Sequence, residues 1–173
     1  MRNCKFFPAL IIVMLFANAC KTPAPIIPVA RVIEKERIIT KSYDAVWQSA
    51  VEWFATHNTP IKNLDKGSGI ITTEYSLSMG EAYRYMDCGG GNSTFSGKVE
   101  LANYSGNFNL LIKKISDNST KVSVNVFYSC SQNKYKYKSV LSSEYVLESS
   151  NRVTCSSKGQ LEKDVFDYIE ANN

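Results

Sequence analysis

One amphipathic helix, placed before a series of alternating segments, most constrains how this chain can fold. Ser42 is a suitable N-cap, and Asp44 follows in the first turn, where a carboxylate complements the helix dipole. Pro60 disfavours helical backbone at Thr59, so the helix should end near Asn58. The spacing i, i+3, i+4, i+7, i+8, i+11 places one apolar face on this helix: Tyr43, Val46, Trp47, Ala50, Val51 and Phe54.

Segments in which apolar and polar residues alternate predict strands on both sides of this helix. The expected strands are 32–40, 61–64, 70–77, 95–102, 108–115 and 121–130, with 80–87 continuing the third strand after a bulge. The segment 140–147 is ambiguous. A last helix, capped by Ser156 or Ser157, has Leu161, Val165, Tyr168 and Ile169 on its apolar face.

Two helices cannot cover both faces of such a sheet. We therefore predict an α+β domain in which an antiparallel sheet carries two helices on one face, in the order β-α-β(n)-α. Its core should include Trp47 and Phe54 from the first helix and Leu161 and Val165 from the last.

The first 20 residues have the organisation of an export signal. Arg2 and Lys5 precede an apolar run over 6–16, which is too short to span a bilayer as a helix. The run ends in Ala17-Asn18-Ala19-Cys20, which resembles the lipobox of bacterial lipoproteins. That resemblance implies a signal peptide over 1–19 and a lipid on the sulfur of Cys20. The alternative is an ordinary secretory signal that is cut near Ala19.

The residues after Cys20 predict a spacer and then one domain. Three prolines between Lys21 and Ala30 favour extended polyproline II, so residues 20–31 are expected to be the lipidated cysteine and a proline-rich spacer. The alternative is a strand-like lead-in that packs on the domain through Ile26, Ile27 and Val29. Residues 32–173 are expected to form a single α+β domain.

Charge and hydropathy exclude two classes of protein. Removing residues 1–19 takes away Arg2 and Lys5 and leaves 18 basic and 16 acidic residues. This small excess does not indicate a nucleic-acid partner. No second apolar run reaches 18 residues, so attachment to a membrane is expected only through the lipid on Cys20.

Three cysteines remain in the domain, and export implies a compartment in which a disulfide can form. Cys130 continues the apolar alternation of 122–130, which indicates a side chain in the core. Cys88 and Cys155 each lie at the boundary of a predicted element. We therefore expect a Cys88–Cys155 disulfide with Cys130 buried; three reduced, buried thiols are the alternative.

No group of residues predicts catalysis, a metal site or a cofactor, so the chain is not expected to be an enzyme. His57 is the only histidine, so zinc spacings that need two are absent, and we interpret it as a residue of the helix C-terminus. The run Gly89-Gly90-Gly91 lacks the Lys-[Ser/Thr] end of a phosphate loop and is interpreted as a loop.

The segment Lys134-Tyr135-Lys136-Tyr137-Lys138 is the candidate binding element. In a strand it places three lysines on one face and two tyrosines on the other, which suits anionic headgroups, a polysaccharide or a protein partner. The alternative is a solvated hairpin tip whose lysines discourage edge pairing.

Two further segments carry a family resemblance. Tyr43-Asp44-Ala45-Val46-Trp47 opens a helix, and Asp65-Lys66-Gly67-Ser68-Gly69-Ile70 follows about twenty residues later. This pair resembles the helix-grip domains of the BamC lipoprotein and its relatives, and the segment 155–162 is similar to small proteobacterial lipoproteins. The resemblance implies a helix-grip-like domain with no catalytic residues. Together with Lys21 after Cys20, it implies an outer-membrane lipoprotein that faces the periplasm.

Two functions agree with these observations. The first is a lipid-anchored, non-catalytic interaction module whose partner is another envelope protein. The second is a carrier of a small apolar ligand, held in a cavity between helix and sheet.

Overall fold

The computed structural model describes residues 26–94, 96–139 and 142–172, so the signal and Cys20 lie outside the described residues. The domain is an α+β fold, as predicted, built on an antiparallel sheet. Its elements are β1 (Glu36–Ile39), α1 (Tyr43–Thr56), β2 (Ile61–Asp65), β3 (Ile70–Thr73), β4 (Tyr75–Ser76), α2 (Met79–Tyr85), β5 (Met86–Asp87), β6 (Asn92–Thr94), β7 (Gly97–Ser116), β8 (Ser119–Tyr137), β9 (Tyr145–Ser157) and α3 (Gln160–Ala171).

A long hairpin of β7 and β8 forms the centre of the sheet. The strand order is β2-β3-β7-β8-β9-β5. The short strand β5 extends the edge beyond β9, because Met86 and Asp87 pair with the last residues of β9. Strand β9 pairs with residues 128–137 of β8, whereas β1 pairs with residues 120–123 of the same strand. The two strands therefore share one side of β8, one beyond the other.

Two strands predicted separately, 95–102 and 108–115, are one continuous strand, β7. Its pairing with β8 shifts register between Ala102 and Ser105, and Asn103 there has a positive φ of 52°. Such a bulge inserts extra residues without ending the strand. The pairing with β8 continues on both sides of the bulge. It therefore keeps the segment around Asn103 within the strand, although its local sequence is typical of a turn.

Helices α1 and α3 pack against each other and each contacts β8, and α1 also contacts β7. The Ser42 side chain caps α1 by accepting from the Ala45 N–H, as predicted, and the helix ends at Thr56 with His57 as its C-cap. At the interface with the sheet, the ring of Phe54 stacks on Phe108 with centroids 5.2 Å apart. The predicted core residues Trp47, Phe54, Leu161 and Val165 are all buried.

The prediction of a strand over 80–87 was wrong, because most of this segment is α2. Ser78 caps the helix by accepting from the Glu81 N–H, and the Glu81 carboxylate accepts from the Ser78 N–H at 2.8 Å, which completes a capping box. Ala82 and Tyr85, on the buried side of α2, are in the core. The domain therefore has a third helix between the strands.

The last helix begins later than predicted, because β9 continues through Ser157 and takes up the ambiguous segment from Tyr145 onward. The N-cap of α3 is Gly159, with φ of 80°, and not a serine. The Ser157 hydroxyl accepts from the Gly159 N–H at 3.0 Å and donates to the Glu162 carboxylate at 3.0 Å. Ser157 thus supports the start of the helix from outside it.

The second half of the expected spacer contacts the domain. Ile26 forms a β-bridge with Gly90, and the Val29 N–H donates to the Asp87 carboxylate at 3.4 Å. Arg31 also reaches Asp87, at 3.7 Å. Residues 26–31 therefore lie against the domain, as in the lead-in alternative, but through backbone and charged contacts, because the side chains of Ile26, Ile27 and Val29 are exposed.

Candidate functional site

The segment Lys134–Lys138 lies at the far end of the long hairpin. Beyond the bulge, residues 97–102 of β7, 131–137 of β8 and 145–151 of β9 form a three-stranded extension of the sheet, which we call the arm. Helix α1 meets β7 on the other side of the bulge, where Phe108 stacks on Phe54. The arm continues past that contact.

The tyrosines of the arm form a cluster with residues from both neighbouring strands. The rings of Tyr137 and Tyr145 stack with centroids 4.6 Å apart, and their hydroxyls share a 2.9 Å hydrogen bond. The Lys98 ammonium lies 4.5 Å from the centre of the Tyr145 ring and 5.1 Å from that of Tyr135. These distances are those of cation–π contacts, so Lys98 fixes the cluster from the β7 side.

An exposed leucine extends this cluster. Leu147 lies directly opposite Tyr135, so both point to the same face, and its side chain is 51% exposed. We call the set of Lys98, Tyr135, Tyr137, Tyr145 and Leu147 the aromatic face of the arm. It combines apolar and aromatic area with hydroxyl groups and the Lys98 ammonium, which also pairs with the Glu100 carboxylate at 2.6 Å.

The lysines lie on the other face of β8, as the alternation predicts, but most of their charge is paired. Lys136 is 4.0 Å from Glu148, and Lys138, just after the end of β8, is 2.8 Å from Glu144. Lys134 is half-buried. The lysine face therefore offers less net positive charge than the sequence suggests.

The disulfide is the one predicted: Cys88 is bonded to Cys155, with Cα atoms 4.2 Å apart. Cys130 is a free, buried thiol whose sulfur lies 3.7 Å from that of Cys155, and burial raises the pKa of the thiol. The three sulfurs lie within 4.8 Å of one another. Because two of them are bonded to each other, the cluster works as a covalent link between the residue after β5 and β9.

A groove follows the bulge of β7, and no pattern in the sequence predicted it. It has a volume of about 530 Å³ and lies between the start of α2 and the sheet. A smaller pocket of about 200 Å³ shares Leu101 and Tyr104 with it and extends to Cys88 and Lys158. The groove depends on the β7 bulge and on α2, neither of which was predicted from the sequence. Its lining residues are Leu77, Met79, Leu101, Ala102, Asn103, Tyr104, Ser105 and Arg152.

Arg152 stands at the rim of this groove and is fixed by hydroxyl groups. Its Nε donates to the Ser129 hydroxyl at 3.0 Å, and its Nη2 donates to the hydroxyls of Ser129 and Ser105. These hydroxyl partners are uncharged, and they hold the positively charged guanidinium at one end of an otherwise largely apolar groove.

The space between α1 and the sheet is filled by aromatic rings. Trp53 packs edge-on against Phe54 and Phe108, with centroids 5.3 and 5.6 Å away, and all three are buried. His57 stacks on Trp53 at 4.5 Å, and its Nδ1 lies 2.8 Å from the Trp53 carbonyl oxygen. His57 therefore has the role at the end of α1 that its position predicts.

In comparisons with known proteins, no protein-family model, no curated protein and no solved structure matches this chain. Among the described residues, the helices are too short or too polar to cross a membrane.

Proposed function

We propose that this protein is a lipid-anchored, non-catalytic interaction module of the bacterial envelope. A lipid on Cys20 holds it at the outer membrane, facing the periplasm, and another envelope protein binds its domain. The lipobox resemblance supports the anchor, and a Cys88–Cys155 disulfide suits an oxidising compartment.

The aromatic face of the arm is the observation that carries this proposal. Tyrosine is among the residues most enriched at the centres of protein interfaces, because its ring supplies apolar area at low entropic cost and its hydroxyl finds a partner. Here Tyr137 and Tyr145 are ordered by their own contact and by Lys98. A surface ordered before binding loses less conformational entropy when the partner arrives.

The helix-grip arrangement implied by the BamC resemblance is part of the proposal. In this arrangement, α1 and α3 cover one face of the sheet, and the opposite face is left to solvent. The contact between these helices and their shared contact with β8 support this arrangement. Helix α2 is an addition to it.

A second candidate function is the binding of a small apolar ligand. The rings of Trp53, Phe54 and Phe108 occupy the space between helix and sheet, so the ligand would lie in the groove at the β7 bulge instead. Its apolar walls and the Arg152 guanidinium suit an apolar molecule with an acidic end. Mass spectrometry of the protein extracted from envelopes would detect such a molecule.

Site-specific crosslinking in intact cells tests the interaction module. A photoreactive residue at Leu147 should give one discrete protein adduct, whereas the same residue at Leu64 in β2 should give none. Leu64 is a matched control, since it is a leucine in a strand with 48% of its surface exposed. Equal adducts from both positions, or none from Leu147, would refute a docking role for the arm.

The anchor is tested separately. The mature protein should carry a diacylglyceryl mass on Cys20, and Cys20→Ser should leave the membrane fraction. An unmodified Cys20 would contradict lipid attachment without affecting the crosslinking result.

A further inference from the structure

Residues 26–33 cross the end of the domain as a strap that is fixed at three points. Ile26 bridges to Gly90, and Asp87 accepts the Val29 N–H and pairs with Arg31. At the other end, the side chain of Ile33 lies beside Gly159, where a Cβ would be 3.4 Å from Ile33 Cγ2. The strap is therefore part of the domain and its position is defined.

The glycine run explains how the strap comes so close. A Cβ on Gly89 would overlap the carbonyl oxygen of Ile26, and a Cβ on Gly90 would lie 2.7 Å from the end of the Ile26 side chain. Real Cβ atoms do not approach other atoms so closely, so a side chain at Gly89 would displace the backbone of the strap, whereas one at Gly90 would move the flexible end of the Ile26 side chain. The disulfide at Cys88 holds the same loop to β9.

The strap begins close to the proposed lipid. Only Lys21 to Pro25 separate Cys20 from Ile26 in the sequence. An extended chain spans at most about 3.3–3.6 Å per residue, so six residue steps cover no more than about 22 Å. Because Ile26 is fixed to Gly90, this end of the domain cannot move further than that from the lipid.

The strap presents apolar side chains to solvent at this place. Ile27 is 81% exposed, Val29 is mostly exposed, and Val32 is fully exposed. Three exposed branched apolar residues within six positions are unusual on a surface that stays in water. Lys35 follows, exposed, and the nearby carboxylates of Asp87 and Glu34 are paired with arginines.

We propose that Ile27, Val29 and Val32 rest in the headgroup layer of the phospholipid bilayer that holds the anchor. The proposal rests on lipid attachment at Cys20, which is part of the proposed function, and adds the orientation of the domain. Short apolar side chains enter the boundary between headgroups and acyl chains, and a neighbouring lysine is attracted to anionic lipids. The glycine-held strap therefore sets which end of the domain faces the membrane.

The first test measures where the strap lies. A fluorophore attached to the full-length, lipidated Ile27→Cys protein should shift to shorter wavelength in vesicles of phosphatidylethanolamine and phosphatidylglycerol. Nitroxide-labelled lipids should quench it. The same fluorophore on Leu64→Cys should show neither effect, and native labelling spares Cys130 because that thiol is buried.

The second test removes the anchor. In the Cys20→Ser protein, changing Ile27, Val29 and Val32 to serine should lower partition into the same vesicles at least about tenfold, since each change removes apolar surface. Serines at Ile61, Leu64 and Ile115, which are exposed elsewhere, should change it less than twofold.

Each outcome decides the proposal. A fluorophore at residue 27 that stays in water, on protein shown by mass spectrometry to carry its lipid, overturns the inference and leaves the proposed function intact. Shielding of residue 27 in native envelopes but not in vesicles also overturns it, because the partner is then a protein. If Cys20 carries no lipid, the anchor of the proposed function fails, and the partition of the serine variants still decides whether the strap binds lipid.

Discussion

Replacing Phe54 by alanine tests how the helix is held on the sheet. Phe54 is buried, stacks on Phe108 with an interplanar angle of 9°, and meets Trp53 edge-on. Truncation to alanine removes the ring from a buried site between α1 and β7, and packed neighbours relax only partly into such a space. Loss of a buried Phe ring typically costs about 3–5 kcal/mol of unfolding free energy.

The measurement is urea unfolding of the wild type and of Phe54→Ala, followed by tryptophan fluorescence. A change of this size should lower the midpoint without changing the m-value, and lower the melting temperature by roughly 6–20 °C at about 2–4 °C per kcal/mol. Phe127→Ala is the matched control, because Phe127 lies in β8 with 62% of its surface exposed, and it should cost less than about 0.5 kcal/mol. A Phe54→Ala cost below about 1 kcal/mol would refute the assigned packing.

The remaining predictions concern the thiols and an ion pair. The double variant Cys88→Ala, Cys155→Ala should lose about 4 kcal/mol of unfolding free energy in the chain-entropy model, since the bond joins residues 67 positions apart; urea unfolding with unchanged stability would contradict this. In the absence of reductant, iodoacetamide should label Cys130 only after the protein is unfolded, because the thiol is buried. Peptide mapping that finds labelled Cys130 in the native protein would contradict this. The hydrogen bond from Arg37 lowers the pKa of Glu34 below its ordinary 4.5, so the stabilisation is present above pH 4.5 and is lost as pH falls through the lowered pKa. Arg37→Gln should therefore flatten the fall in stability between pH 5 and pH 3, and an unchanged slope would contradict it.

The parts of the fold that local sequence determines were predictable. The cap of α1 is formed by a residue adjacent to the helix, and its apolar face follows from one spacing. The strand and turn at 61–69 follow from local alternation and from Asp65, whose carboxylate accepts from the Gly67 N–H at 2.9 Å. The disulfide followed from the different positions of its cysteines relative to predicted elements.

The parts that depend on distant pairing were not predictable. The segment around Asn103 reads as a turn, and only its ladder with β8 keeps it in β7. Helix α2 had a readable signal, Ser78 followed by Glu81, but an alternating pattern in the same residues favoured a strand. Around Asn103 the ladder with β8 therefore overrides the local preference for a turn, whereas in α2 the local capping box overrides the alternation.

The candidate binding element was only half predictable for the same reason. Alternation correctly separates the tyrosines of β8 from its lysines. The residues that complete the aromatic face, Lys98 and Leu147, come from β7 and β9, and only the register places them beside Tyr135. The acidic partners of the lysines also come from residues after the turn, so charge counted along one segment overstates the charge of the surface.

The glycine run has a role in the fold that its sequence alone does not indicate. As sequence, Gly89 and Gly90 read as a flexible loop, but in the fold they leave room for Ile26, and Asp87 beside them binds Val29 and Arg31. The extended spacer expected over residues 20–31 is thereby limited to the residues before Ile26. If Cys20 carries the proposed lipid, this shorter tether limits the orientations the domain can take, because one end must stay near the membrane. If the proposed lipid anchor and docking role hold, a restricted range of orientations raises the effective concentration of the aromatic face at the membrane without any new contact.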